Sequence, residues 1–366
     1  MAEKHRVYTS VEICAGAGGQ AVGLEAAGFE HAALVEIDPH ACATLSANRP
    51  KWNVIKGDVR EFKPELHIAG QHIDLLAGGV PCPPFSLAGK QEGRDDERDL
   101  FPTMLKLVEQ IDPSAVMIEN VRGLLQEKFK PYRDEILQEL KALGYVPMVW
   151  GKFQASEFGV PQLRPRSILV ALKPEFSEYY TAPTPNPDKT VTVGAALRDS
   201  MRKRGLTGDD LKKWSAGADQ VAPTLVGGSK KHGGADLGPT RAKRQWEQLG
   251  VDGHGLANDD EAADLVGPKG RGPRITVAQA ALLQGFPKDW IFTGGKTARY
   301  RQVGNAFPPP VAGAVAMQIM LALQAGENPA AAEPQSDDHV PSQRSVSRSR
   351  QQTDAPSNEE PATLPQ

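Results

Sequence analysis

The sequence predicts an α/β fold built on an open sheet with parallel strands, and three observations predict it. Short apolar runs alternate with helix-patterned segments across residues 1–172. A glycine-rich loop, Ala15–Gly19, stands between the first apolar run and the first helical pattern. Acids close the second and third apolar runs. Open α/β sheets bind ligands beyond the carboxyl ends of their strands, so the residues that end each run are the first candidates for a site.

Tyr8–Cys14 reads as a short buried strand and Gln20–Ala27 as the helix after it. Between them, the glycines of Cys14-Ala15-Gly16-Ala17-Gly18-Gly19 let the backbone come close to a nucleotide. The loop departs from Gly-x-Gly-x-x-Gly, so by itself it reads equally as a tight turn or a dehydrogenase-type loop. Ala32–Glu36 is the second strand, and Glu36, 20 positions after Gly16, suits a pair of ribose hydroxyls. Asp38-Pro39 then opens a helix with an N-cap residue and a proline at the first helical position. Val54–Asp58 is a third short strand whose closing acid, Asp58, can accept from an adenine amino group.

Ile73–Ala77 is the fourth strand, and it runs into Gly-Gly-Val-Pro-Cys-Pro-Pro-Phe-Ser from Gly78 to Ser86. Pro81, Pro83 and Pro84 fix φ and remove donors, so this turn is stiff. Cys82 inside it reads either as a small packed thiol or as a nucleophile held in one direction. The polar segment Leu87–Arg98, with Gly89 and Gly93, is a candidate lid.

Phe101–Ile111 has helical periodicity, and Ala115–Ile118 is a strand ending in Glu119-Asn120-Val121. Glu119 is then either a helix-capping acid or a site carboxylate beside the strand of Cys82. A helix over Tyr132–Leu143 and a strand over Val146–Phe153 precede Gln162-Leu-Arg164-Pro-Arg166, which leads into the apolar strand Ser167–Leu172. The two arginines read as solvated charges or as clamps for a phosphate or a base carbonyl.

At Lys173 the texture changes, and Gly, Pro, Lys and Arg dominate to Pro273 with few periodic segments, which predicts a separate, loop-rich domain. Order returns at Arg274, with Thr276 as an N-cap and Gly285 as a helix stop before Phe286-Pro287. Gln302–Pro310 then enters an apolar helix, Val311–Leu323, and beyond Gly326 the Pro, Ser, Gln and Ala bias predicts disorder.

The 366 residues carry three cysteines without Cys-x-x-Cys spacing, so neither a disulfide framework nor a zinc site is expected, and no metal is. The start lacks a signal-peptide pattern, and a cytoplasmic protein is expected. The net charge of -3 argues against a polyanionic partner only on average. Seven acids and three bases fall from Glu327 onward, while Ser229–Arg244 holds five bases (Lys230, Lys231, Arg241, Lys243, Arg244) against Asp236.

Taken in order, the glycine loop, Pro81-Cys82, Glu119-Asn120-Val121, Gln162-x-Arg164-x-Arg166, Leu283-Gln-Gly-Phe-Pro287 and Gly304-Asn305 resemble the DNA cytosine-5 methyltransferases of bacterial modification type. The resemblance runs from Val11 to about Leu323. It implies a doubly wound S-adenosylmethionine-dependent methyltransferase (Rossmann-like) domain over 1–172 and a smaller, loop-rich target-recognition domain over 173–273. A return segment with a final helix over 274–325 and a disordered tail over 326–366 complete the implied plan.

The implied reaction moves a methyl group from S-adenosylmethionine to C5 of a cytosine flipped out of double-stranded DNA. Cys82 would add to C6, Glu119 would serve N3, and Arg166 would support O2 with Arg164 beside it. The cofactor would lie on Cys14, Ala15, Gly16, Gly18 and Gly19, with Glu36 and Ile37 at the ribose and Asp58 and Val59 at the adenine. Pro81 would lie near it, and Asn305 would close its methionine end. Ser86, Lys230, Lys231, Arg241 and Arg244 would meet DNA, in a monomer paired with a restriction endonuclease; the alternative for Pro239–Leu249 is a solvated charged helix.

The chain departs from the family where Cys14 replaces the usual aromatic, where proline follows Cys82 instead of glutamine, and where Gln279-Ala-Ala-Leu replaces a Glu and Arg pattern. The same chemistry on RNA, or a catalytically silent DNA-binding protein, stays open. A recognition segment of about 100 residues favours duplex DNA.

Overall fold

The computed structural model describes residues 6–81, 99–227, 236–258, 265 and 271–329. Cys82, Ser86, the lid segment 87–98, Lys230, Lys231 and the tail from 330 onward lie outside the described residues. Seven strands form one sheet: β1 (Tyr8–Ile13), β2 (Phe29–Glu36), β3 (Val54–Lys56), β4 (Leu75–Gly79), β5 (Ala115–Val121), β6 (Val146–Gln154) and β7 (Pro165–Leu172). Their spatial order is β3-β2-β1-β4-β5-β7-β6. The first five are parallel, and β7 runs antiparallel to both β5 and β6. The order reverses between β1 and β4, which opens a crevice at their carboxyl ends.

β1, β4, β5 and β7 are buried at almost every position rather than at alternate ones. Helices on both faces require this. One face packs under α1 (Gly19–Ala26) and α12 (Pro309–Glu327), whose Leu24, Val311, Val315 and Ile319 join Leu75 and Met117 in one core. α1 and α12 cross so closely that a Cβ at Gly23 would lie 2.6 Å from Ala312 Cβ. The other face packs under α4 (Phe101–Ile111) and α5 (Lys130–Ala142), where Met104, Val108, Ile136 and Leu140 meet Val11, Leu76 and Val116. α2 (Pro39–Asn48) is capped by Asp38, whose side chain accepts from His40 and Ala41 N–H, and the single turn α3 (Pro64–His67) precedes β4.

β5 continues through Glu119 to Val121, so Glu119 is a strand residue paired across the sheet with Gly79 and Ile168. The helix-capping alternative for Glu119 therefore falls. β7 begins at Pro165, which places Arg166 on the neighbouring strand, opposite Val121.

Among the described residues of 173–273, where few periodic segments were expected, stand the helices α6 (Pro174–Ser177), α7 (Val193–Lys203), α8 (Gly208–Gly217) and α9 (Thr240–Gln248), the last within the stretch read alternatively as a charged helix. In α7 a narrow stripe, Val193, Leu197 and Met201, is buried at helical spacing between charged positions. Flanking glycines and prolines dilute that stripe over any longer window. Its apolar side chains share one core with Leu34, Leu45, Leu225, Trp246 and Tyr300.

α10 (Val277–Gln284) starts at Thr276 with a capping box to Gln279 and stops at Gly285, with φ +89°. Lys296–Glu327, containing α11 (Lys296–Asn305) and α12, is the one stretch among the described residues long and apolar enough to cross a membrane. Its most apolar window is 67% buried inside the fold, as a core helix is.

Candidate active site

A cleft of about 1010 Å³ opens at the carboxyl ends of β1, β2, β4 and β5. That is the upper end of the size usual for a small-ligand site. Of the residues expected at a cofactor, Cys14, Ala15, Gly16, Glu36, Ile37, Asp58, Val59, Pro81 and Asn305 line it, as does Gly19. Gly18 does not; its backbone, at φ +89°, turns against the ring of Trp290. The cleft also takes in Glu119, Arg164 and Arg166, so one cavity joins the expected cofactor seat to the expected catalytic groups.

The glycine loop is held by its own strand ends. Gly16 N–H donates to Glu36 Oε2 at 2.7 Å, and Asp38 N–H donates to Glu36 Oε1 at 2.7 Å. Burial pushes the Glu36 carboxyl up, and these amides together with that of Ile37 pull it back. Gly16 has φ +56°, and a Cβ there would meet nothing within 4 Å, so the loop shows open space at this point. Asp58 caps the turn after β3 by accepting from Arg60 N–H, and hydrogen bonding to Arg60 holds its carboxyl below the usual range.

Glu12, on β1 at the floor of the cleft, is 1% exposed, and its Oε2 has no hydrogen-bond partner. Burial, with Glu36 as a further cause, pushes its carboxyl well up, and the neighbouring Gln20 side chain opposes the rise. Carboxyl groups at Glu36 and Asp58, with a buried Glu12 oxygen left unpartnered, fit a ligand rich in donors, such as a ribose, an adenine amine and an ammonium group whose charge would favour ionised Glu12.

Two cysteines belong to the described residues, and neither is activated. Cys14 lies in the cleft in a left-handed conformation, φ 53°. Burial and the carboxylates of Glu36, Asp58 and Glu12 push its thiol up to about 12. Cys42 is buried and pushed up to about 11, first by burial and then by Glu36.

Glu119 and Arg166 form an ion pair, Oε1 to Nε 2.6 Å, with both side chains nearly buried. Burial raises the Glu119 carboxyl, while Arg166 and Arg164 lower it. The pair sits one strand from the Pro81 turn, because β4 and β5 register Gly79 with Glu119 and Asn120 Nδ2 donates to Val80 O at 2.9 Å. The absence of a side chain at Gly79 matters here, since a Cβ would come 3.3 Å from Glu119 Oε2.

Arg164 is turned to a different task from its neighbour. It is 1% exposed; its Nη1 donates to Leu225 O at 2.7 Å, and its Nη2 donates to Gly304 O at 2.7 Å and Ala306 O at 2.9 Å. Gln162 completes the clamp, accepting from Leu225 N–H at 2.8 Å and donating to Gln284 Oε1 at 2.6 Å. The clamp lays Thr224–Gly227 across the cleft, where a Cβ on Gly304 would lie 2.4 Å from Gly227 Cα. Reading the sequence missed this crossing segment, because nothing local marks a contact between residues that far apart. Glu12 was findable, as an acid interrupting an otherwise apolar strand.

Arg241 and Arg244 are exposed on α9, which Trp246 anchors as a fully buried ring, while Lys243 pairs with Asp236 at 2.7 Å.

The profile of the family described as C-5 cytosine-specific DNA methylase matches residues 8–321. The chain is 52% identical over 318 residues to the type II methyltransferase M.NaeI of Lentzea aerocolonigenes, covering 86% of this chain and 75% of that protein. It is 51% identical over 320 residues to the type II methyltransferase M.NgoMIV of Neisseria gonorrhoeae, covering 87% and 98%. Among solved structures, a DNMT2 mutant of Spodoptera frugiperda shares the fold at TM-score 0.58 and 16% identity, covering 86% of this chain and 99% of that one.

Proposed function

The chain belongs to the C-5 cytosine-specific DNA methylases, and from that premise we propose that it methylates a cytosine flipped out of a specific duplex site through a bond between Cys82 and C6. The observation that carries the residue assignment is the buried Glu119–Arg166 pair, one strand from the turn into Cys82. S-adenosylmethionine is the methyl donor of this family, and when bound it supplies an electrophilic methyl group.

C5 of cytosine is a poor nucleophile until a thiolate adds at C6. The Cys82 sulfur gives its electron pair to C6, and negative charge moves toward N3 and O2 of the ring. Glu119 meets it with a proton at N3, and Arg166 meets it with its guanidinium at O2. C5 then takes the methyl group as that group's bond to the sulfonium sulfur breaks, and the C5 proton passes to a water. The electron pair it leaves restores the C5–C6 double bond as the S–C6 pair returns to the Cys82 sulfur, and N3 gives its proton back to Glu119. The base must leave the stack for this, at a cost of a few kcal/mol. Arg164, with its N–H groups on three carbonyls, is a positioning residue rather than a contact to the base.

The cofactor is proposed to lie on Cys14–Gly19, with the ribose at Glu36 and the adenine amine at Asp58. Asn305 is left for the methionine end and Glu12 for its ammonium side. The segment 173–273 is proposed as the target-recognition domain. Because M.NaeI and M.NgoMIV are type II methyltransferases, pairing with a restriction endonuclease is part of this reading, as are a monomeric state and a cytoplasmic setting.

The test is bisulfite sequencing of DNA from cells expressing the chain. One recurring sequence, protected at a single cytosine, is the expected result. Tritium transfer to transfer RNA but not to DNA would overturn the choice of polymer.

The same assay reads the recognition residues. Arg241→Ala or Arg244→Ala is expected to relax one position of the target by ~1–3 kcal/mol, since a forked guanidinium suits guanine O6 and N7. Lys230→Ala or Lys231→Ala is expected to weaken binding evenly and lower the salt slope by ~0.9 per lost phosphate contact. Identical site profiles for all four variants would move specificity to other residues of 173–273.

A further inference from the structure

We infer that Trp290 is a positioning residue for the cofactor loop, fixing from behind the conformation in which Ala15–Gly19 receives S-adenosylmethionine. The inference rests on the proposed seat of the cofactor. Trp290 is 7% exposed, and its indole Nε1 donates to Ala17 O at 3.1 Å. Its ring presses on the next residue, since a Cβ at Gly18 would come 2.8 Å from Trp290 Cζ2. The loop is thus held at two points, by the Glu36 carboxylate at Gly16 N–H and by the indole at Ala17 O.

The indole cannot recede. The Arg49 guanidinium stands 5.3 Å from its centroid and is itself held by Glu25 at 2.8 Å. Phe286 lies 6.0 Å away, and Trp52 lies 6.1 Å away. The backbone just beyond Trp290 is stapled to α2: Ile291 N–H donates to Asn48 Oδ1 at 2.8 Å, and Asn48 Nδ2 donates back to Ile291 O at 2.7 Å. A carbonyl that loses its buried donor is free to turn, and the loop then binds a ligand only from a fraction of its conformations.

Trp290→Phe keeps an aromatic ring and removes the donor. By calorimetry, its Kd for S-adenosylhomocysteine is expected to rise about tenfold. KM for S-adenosylmethionine should follow, while kcat at saturating cofactor and KM for DNA hold. Trp52→Phe shares the ring cluster without touching the loop, so it should lower Tm and leave that Kd alone. Glu36→Ala checks the seat, since it removes the proposed ribose contact together with the hold on Gly16 N–H.

If Glu36→Ala binds S-adenosylhomocysteine as tightly as wild type, the seat is wrong and the inference fails with it. If Glu36→Ala binds weakly but Trp290→Phe binds normally, or Trp52→Phe binds as weakly as Trp290→Phe, the seat stands and the positioning role falls. Should Trp290→Phe not fold, hydrogen–deuterium exchange on the wild type decides. Residues 288–293 are expected to gain protection with S-adenosylhomocysteine while the stretch around Trp52 does not, and unchanged exchange over 288–293 would overturn the role.

Discussion

Cys82→Ala is expected to abolish methyl transfer to DNA, by on the order of 10⁴-fold or more, while DNA and cofactor binding persist. The thiol makes its bond only during the reaction, so its removal costs the transition state and not the ground state. No other cysteine can stand in. Cys14 shares the cleft but is held protonated up to about 12 by burial and three carboxylates, and Cys42 is held up to about 11. At neutral pH neither offers a useful thiolate fraction.

Two measurements check this. Transfer of tritiated methyl to target DNA should vanish in the Ala variant, while a gel shift with the same DNA should not. With 5-fluorocytosine at the target, the wild-type chain should remain attached to DNA through denaturing electrophoresis, because fluorine cannot leave as a proton does. An Ala variant that still forms the attached species would move the nucleophile to Cys14.

The parallel half of the fold was legible because the signals are local. Strand β1, the glycine loop and the cap at Asp38 each follow from a few adjacent residues, and Phe101–Ile111 stands as a helix at the predicted bounds. The place of Glu36 at the cleft was legible for the same reason, since it ends a strand, although its bond to Gly16 N–H was not. Arg164 and Arg166 show the limit. Arg166 stands on β7 and Arg164 just before it, and in sequence the two read alike, as solvated charges or as clamps. The fold instead separates them by what the chain brings past each: Leu225, Gly304 and Ala306 carbonyls for Arg164, the Glu119 carboxylate for Arg166. Helix α7 was hidden for a different reason, a short apolar stripe set among glycines and charges, whereas α9 falls where a charged helix was one of the two readings.

Glu119→Gln is expected to lower kcat by roughly 10²–10⁴-fold, the usual weight of a positioned acid, with little change in KM for the cofactor. Gln has nearly the same shape and can offer an N–H to N3, but it cannot deliver a proton. The sign of the pH dependence follows from the surroundings of the carboxyl. Burial raises its pKa, and the guanidinium groups of Arg166 and Arg164 oppose the rise without cancelling it. The protonated form therefore survives to higher pH than in an exposed Glu, whose pKa is about 4.3.

Activity that needs this proton is full below the raised pKa and is lost as pH rises through it. The kcat profile of the wild type should therefore fall on its alkaline side, and the Gln variant should lack that limb. Desolvation is what makes the acid useful, since an exposed carboxyl would be almost wholly ionised at neutral pH and could only accept. The substitution also leaves Arg166 without its counter-charge in a nearly buried position. Melting must therefore be measured beside the rates, so that a general loss of fold is not read as lost chemistry. A Gln variant that folds and keeps the wild-type alkaline limb would take proton delivery away from Glu119.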